Sequence, residues 1–192
     1  MIREPTGGSH TYPLERAPAL EDSSRFRYCS REELLEGLSP SEGDVVADLG
    51  SGTGFYTREV APFVGRIYAL DAQPGMHAHL HRGGCPSNCH PIVADLASIP
   101  LPRDHLDGAF STMTHHEYAH SAVFGEIARV LAPGGRLVTV DWSASGDGED
   151  GPPVEERLSP EAARDQLVDA GLAVRAVRRR PETFVLLASP AP

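Results

Sequence analysis

Asp44-Val-Val-Ala-Asp-Leu-Gly-Ser-Gly-Thr-Gly54 is the stretch whose reading decides the fold. Val45, Val46, Ala47 and Leu49 make a short, nearly continuous apolar run, which is the signature of a strand buried on both faces. Gly50, Gly52 and Gly54 follow at alternate positions. They allow a tight turn and let a ligand lie directly on the backbone. Beyond them Tyr56, Val60, Phe63 and Val64 recur at helical spacing. Strand, glycine turn and helix in that order form the opening unit of a nucleotide-type cofactor site.

The surroundings strengthen this reading. Arg66-Ile-Tyr-Ala-Leu-Asp71 reads as a second buried strand ending in a carboxylate, and Asp71 lies twenty-one residues beyond Gly50. An acid at that distance sits at the tip of the neighbouring strand, where it can accept hydrogen bonds from two ribose hydroxyls. Two cofactor classes use the layout. Dinucleotide enzymes spell GxGxxG, whereas the spacing here is GxGxG with Asp48 on the strand itself. A carboxylate so placed repels a pyrophosphate and suits a ligand carrying an ammonium group. Asp48-Leu-Gly-Ser-Gly-Thr-Gly54 matches in full the DxGxGxG motif of the class I S-adenosylmethionine-dependent methyltransferases, which this sequence resembles.

Composition sets the outer limits. A chain of 192 residues suits one domain. A net charge of −10 opposes a nucleic-acid partner, which requires a basic footprint. All seventeen basic residues are arginine. Three cysteines, Cys29, Cys85 and Cys89, give no disulfide framework. No apolar signal core and no run of eighteen apolar residues is present. The expectation is a soluble cytoplasmic protein with no membrane partner.

Residues 1–29 carry five proline and glycine interruptions (Pro5, Gly7, Gly8, Pro13, Pro18) and are predicted irregular, ahead of one domain over 30–192. Ser30-Arg-Glu-Glu33 reads as a capping box opening a short helix. After Asp71 the expected elements are a helix over Pro74–Arg82, a third strand Pro91–Asp95 and a fourth strand Leu106–Thr112. A helix Ser121–Leu131 follows, then a fifth strand Arg136–Trp142. Residues 143–158 are predicted to be a mobile acidic loop. A helix capped by Ser159-Pro160 comes next, and then two strands, Leu172–Arg178 and Thr183–Ala188. Their short connection, Arg179-Arg-Pro-Glu182, demands an antiparallel hairpin. The predicted fold is α/β: a Rossmann-like, seven-stranded, mostly parallel sheet with a C-terminal antiparallel hairpin and helices on both faces. That closing hairpin departs from dinucleotide-binding folds and agrees with the methyltransferases.

The resemblance spans about residues 30–190 and implies roles position by position. Asp48, Gly50, Ser51, Gly52, Thr53 and Gly54 form the cofactor loop. Asp71 and Ala72 lie at the ribose, and Met76 follows on the next helix. Asp95-Leu96 matches the acid and hydrophobe at the adenine; a turn cap is the alternative for Asp95. Ser111 and Thr112 line the methionyl end. Glu126-Ile-Ala-Arg-Val-Leu-Ala-Pro-Gly-Gly135 matches a structural run of the superfamily. The nearest subgroup is the one containing quinone-biosynthesis methyltransferases and many small-molecule enzymes.

In such enzymes His115 and His116 of Thr114-His-His-Glu-Tyr118 resemble residues flanking the acceptor. Imidazole titrates near working pH, so either can take a proton; packing at a strand end is the alternative use. Trp142 is either an acceptor wall or core. His77, His81, Cys85 and Cys89 recur every four residues, but without the C-x2-C spacing of structural zinc sites, and no metal is expected. Arg178-Arg-Arg180 reads as a solvated turn.

The expected function is transfer of the methyl of S-adenosylmethionine to a small-molecule nucleophile. The rivals are a nicotinamide-dependent oxidoreductase and a protein that binds S-adenosylmethionine without transferring its methyl. A cofactor pocket sealed by the N-terminal tract would favour the last.

Overall fold

The computed structural model describes residues 12–118 and 120–191. One seven-stranded sheet organises them: β1 (Val45–Leu49), β2 (Arg66–Asp71), β3 (Cys89–Val93), β4 (Leu106–Thr112), β5 (Leu131–Trp142), β6 (Leu172–Arg179) and β7 (Thr183–Pro190). Their spatial order is β3-β2-β1-β4-β5-β7-β6. Strands β1 to β5 run parallel, and β7 lies antiparallel to both β5 and β6. Sequence order reverses at β1, so the carboxyl ends of β1 and β4 open the crevice where such sheets hold ligands.

Helices α1 (Arg31–Leu38), α2 (Phe55–Val60), α3 (Pro74–Arg82), α4 (Ser121–Val130) and α5 (Pro160–Asp169) cover both faces. The capping box at α1 is formed: Ser30 Oγ accepts from the Glu33 N–H, and Glu33 accepts from the Ser30 N–H at 2.9 Å. Alternation along β1 divides the core. Ala47 and Leu49 join Phe124, Ile127 and Leu167 of α4 and α5 on one face. Val46 joins Leu34, Tyr56 and Leu80 on the other. Period two therefore turns Asp48 toward α2.

Four boundaries differ from expectation, each for a local reason. Strand β3 stops at Val93, because Asp95 turns the chain by accepting from the Ala97 N–H at 2.8 Å. Strand β5 begins at Leu131, not Arg136; the Pro133-Gly134-Gly135 kink is taken up as a register shift against β4. Of the stretch 1–29 predicted irregular, residues 1–11 lie outside the described residues, and the remainder contains 3-10 turns over Leu14–Glu21 and Ser23–Arg27. Residues 143–158 are pinned, in contrast to the mobile loop predicted. The Arg157 side chain, fully buried, donates to Pro152 O at 2.9 Å and to Glu182 Oε2 at 3.0 Å, and also reaches Asp150 O.

Arginine makes two further ties. Arg180, expected in a solvated turn, donates to Tyr28 O at 2.7 Å, Arg27 O at 2.9 Å and the Glu33 carboxylate at 2.9 Å. Arg129 of α4 forks onto Ile99 O and Leu101 O, both at 2.9 Å, and onto Glu126, which accepts from the Ile99 N–H. The Glu126–Arg129 run thus fastens the loop after β3 to α4. Arg129→Ala is expected to lower unfolding free energy by ~1–3 kcal/mol in chemical denaturation. Arg129→Lys should recover less than half of it, since an ammonium cannot span two carbonyls and a carboxylate in one plane. Wild-type stability in both variants would show that the tie carries none.

Candidate active site

The glycine turn is held by the tip of β2. The Gly50 and Ser51 N–H groups both donate to Leu70 O at 2.9 Å, and the Gly52 N–H donates to Asp71 Oδ2 at 2.8 Å. Asp71 Oδ1 accepts from the Gln73 N–H at 2.8 Å. Each carboxylate oxygen keeps acceptor capacity beyond these bonds. Gly50, Gly52 and Gly54 have φ of +72°, +54° and +81°, the left-handed region that costs glycine nothing. A Cβ on Gly50 would stand 2.5 Å from Thr114 Cγ2, and one on Gly54 would strike Leu80. At Gly52 the nearest atom to a Cβ is Leu20 Cδ1 at 3.4 Å. Gly52 is the open point of the loop.

Asp48 is buried and accepts from Thr57 Oγ1 at 2.6 Å through Oδ2. Its Oδ1, with Ser51 Oγ and Thr53 Oγ1, is buried without a hydrogen-bond partner. Orphaned polar atoms clustered at one loop are what a polar ligand satisfies. The residues therefore fit a cofactor that brings donors to this turn. Burial pushes the Asp48 carboxyl up to about 7; the Thr57 hydrogen bond opposes this and the Asp71 charge adds to it.

The N-terminal segment lies across this end of the sheet. Tyr12 O accepts from Gln73 Nε2 at 2.9 Å, Leu14 packs on Gly75, Leu20 faces Gly52, and Glu21 pairs with Arg58. The Arg25 guanidinium sits 5.4 Å and 5.3 Å from the Phe55 and Tyr56 ring centres. By contrast, a cleft of about 250 Å³ lined by Leu38, Asp44, Asp107, Gly134 and Arg136 lies at the amino ends of the strands. None of the glycine-loop residues and none of His115, His116 and Glu117 line it.

The two histidines have different surroundings. His115 is fully buried, its ring 4.8 Å from Phe124, with Nε2 against Gln166 Oε1 at 2.9 Å and Nδ1 unpartnered. Burial lowers its pKa, against the opposing pull of Asp141. The accessible base envisaged at His115 is thus a core side chain facing α4 and α5. His116 lies on the β5 side. Its Nδ1 is 2.9 Å from Asp141 Oδ1, and its backbone N–H donates to Asp141 Oδ2 at 2.7 Å. Burial pulls its pKa down, but the Asp141 hydrogen bond and charge, with Glu117 and Glu156, outweigh that and raise it. Glu117 beside it is pushed up to about 7 by burial, with the Asp141 and Asp71 charges adding to that and His116 opposing it. The turn carrying this trio begins at Met113, a non-glycine residue with φ +60°, a strained conformation of the kind that clusters at functional sites.

The remaining expected residues are dispersed around the loop. Ser111 and Thr112 are buried at the β4 tip, Met76 is buried in α3, and Ala72 is exposed just past Asp71. Asp95 is exposed and caps its turn, while Leu96 is buried. Trp142 packs against Tyr28, ring centres 4.7 Å apart, with the Arg157 guanidinium over it. Among the described residues no three His, Cys, Asp or Glu side chains converge as a metal site would require. Sequence reasoning missed Asp141, Glu117 and Thr57. Asp141 had a readable signal: like Asp48 and Asp71, it is an acid ending an apolar strand.

The raised Asp48 pKa has a thermodynamic consequence. The folded protein keeps a proton up to about pH 7 that the unfolded chain releases near pH 4. Stability contributed by this group is therefore lost as pH rises across that window, at up to ~1.4 kcal/mol per pH unit. Buried His77 and His115, with lowered pKa values, act in the opposite sense, so the informative quantity is a difference. Between pH 5 and 7 Asp48→Asn should gain stability relative to wild type in urea titrations. Parallel pH profiles would show that Asp48 is already ionised in the free protein.

Comparison with known proteins agrees with this geometry. The family described as Methyltransferase domain matches residues 47–139. The chain is 30% identical over 188 residues to the demethylmenaquinone methyltransferase of Mycolicibacterium vanbaalenii, covering 95% of this chain and 74% of that one. It is 31% identical over 117 residues to 24-methylenesterol C-methyltransferase 2 of Oryza sativa subsp. japonica, spanning 58% of this chain and only 32% of that protein. The crystal structure of a SAM dependent methyltransferase from Aquifex aeolicus superposes with a TM-score of 0.84 at 29% identity, covering 93% of this chain and 98% of that one. These matches favour neither the nicotinamide alternative nor, although the N-terminal segment lies across the loop, binding of S-adenosylmethionine without methyl transfer. The sheet order, the docked glycine loop and the relatives together establish that the chain belongs to the class I S-adenosylmethionine-dependent methyltransferases, whose cofactor it shares.

Proposed function

We propose that this protein methylates a small-molecule acceptor, working in the cytoplasm. The carrying observation is the glycine loop docked on Leu70 and Asp71 with the orphaned oxygens of Asp48, Ser51 and Thr53 around it. S-adenosylmethionine supplies an electrophilic methyl when bound. Ser51, Gly52 and Thr53 hold the cofactor along the turn, Asp48 faces its ammonium end, Asp71 and Ala72 its ribose, and Asp95 and Leu96 its adenine. Met76, Ser111 and Thr112 complete the wall. Residues 12–29 act as a cover on this end of the domain; within them Leu20 and Arg25 exclude water from the loop.

His116 is the base, and His115 supports the turn by packing. As the acceptor atom becomes a nucleophile, its O–H or N–H proton passes to Nε2 of His116. Net charge −10 argues against a nucleic-acid acceptor. Three free thiols accord with a reducing compartment. Among the described residues no helix is long and apolar enough to cross a membrane.

Calorimetry with S-adenosylhomocysteine tests the cofactor assignments. Asp71→Ala should weaken binding by ~1.5–3 kcal/mol for each charged hydrogen bond lost. Gly52→Val should abolish it, because a branched residue resists φ +54° and fills the loop's open point. Unchanged affinity in Asp71→Ala would remove that residue from the site.

Turnover tests the base. A panel of phenols, amines and thiols, followed by S-adenosylhomocysteine release, should reveal an acceptor. His116→Ala should then lower its turnover ~10²–10⁴-fold with cofactor affinity intact. Wild-type turnover in His116→Ala would leave proximity as the sole contribution.

A further inference from the structure

Asp141 is wholly buried at the carboxyl end of β5. Its Oδ1 accepts from the Trp142 N–H at 2.8 Å and stands 2.9 Å from His116 Nδ1. Its Oδ2 accepts from the His116 N–H at 2.7 Å and lies 3.1 Å from the same ring nitrogen. An ionised carboxylate only accepts, so Nδ1 must carry the hydrogen whenever the imidazole is neutral. The lone pair is then confined to Nε2, which has no hydrogen-bond partner among the described residues.

We propose that Asp141 is a positioning residue that locks His116 in the Nδ1–H form and so makes Nε2 the proton acceptor of this site. The proposal rests on the reading of His116 as the base and assigns the partner that makes it one. Two bonds from a single carboxylate, one to the backbone and one to the ring, fix both the turn and the ring plane. The charge of Asp141 also stabilises the imidazolium formed once the acceptor's proton arrives. That proton ends on Nε2, and the electron pair of the broken O–H or N–H bond stays on the acceptor atom. The other ionisable groups facing His116 are Glu117 on its own turn, Glu156 on the 154–156 turn and neighbouring His115. The two glutamates add to the basicity that Asp141 creates, and His115 opposes it when charged. The ring's hydrogen-bond partner is Asp141 and neither glutamate, so neither glutamate selects the tautomer.

The test is a two-bond ¹H–¹⁵N correlation spectrum of the whole chain labelled in histidine, recorded across pH with and without saturating S-adenosylhomocysteine. His116→Gln identifies the resonance. The expected pattern above the titration midpoint is protonated Nδ1 and bare Nε2. In Asp141→Asn the midpoint should fall by about one pH unit or more. An asparagine keeps one oxygen and can accept from only one of the two backbone N–H groups, so urea unfolding of the variant is measured alongside: lost stability with the midpoint in place would mark Asp141 as purely structural. A neutral His116 protonated on Nε2, or a midpoint unmoved in Asp141→Asn, would overturn the proposal. Should Asp141→Asn fail to fold, the wild-type tautomer still decides it. Calorimetric titration of the same samples with S-adenosylhomocysteine reads the cofactor assignment separately, so failure of one is distinguishable from failure of the other.

Discussion

Three successive amides, those of Gly50, Ser51 and Gly52, dock on the carboxyl tip of β2, two on Leu70 O and one on the Asp71 carboxylate. The rest of the site depends on that docking. It fixes the left-handed glycines, which bring Thr114 and Leu80 against the turn with no side chain between. It also places the Asp71 charge where it adds to the burial that raises the Asp48 carboxyl. A carboxylate accepting backbone N–H bonds is both a clamp and a source of local potential. Here the same group shapes the loop and keeps acceptor capacity beyond the bonds it makes.

Arginine does the fastening further out. Arg25, Arg157 and Arg180 each join segments distant in sequence by pairing a guanidinium with carbonyls or stacking it on rings. A planar fork with five donors can satisfy several acceptors at once, which an ammonium cannot. A chain whose basic residues are all arginine thus ties residues 12–29 and its 143–158 loop to the sheet through guanidinium groups, beside apolar contacts such as Phe26 on Phe55 and Gly151 on Trp142.

The paired acids and imidazole at the carboxyl edge show how position sets chemistry. His115 and His116 are adjacent, yet one is lowered by burial in the core and the other raised by Asp141. A 3-10 turn over His115–Glu117 sends consecutive side chains to different sides, so neighbours in sequence occupy unlike dielectrics.

The sequence by itself determined the sheet, its closing hairpin and the glycine loop. These rest on local patterns: apolar runs bounded by glycine, a capping box, and acids at strand ends. Such patterns are set by near neighbours and by burial, which residue type alone reports. It also marked Asp48, Asp71 and the histidine pair as the residues to inspect. Only the tertiary structure decided the unlike surroundings of the two histidines, because His116 and Asp141 are twenty-five residues apart and meet only where β4 and β5 lie side by side. The same holds for Arg157, Arg180 and the 3-10 cover. Arg157 and Arg180 take backbone carbonyls as well as distant carboxylates, and a carbonyl's place in space is written in no residue type.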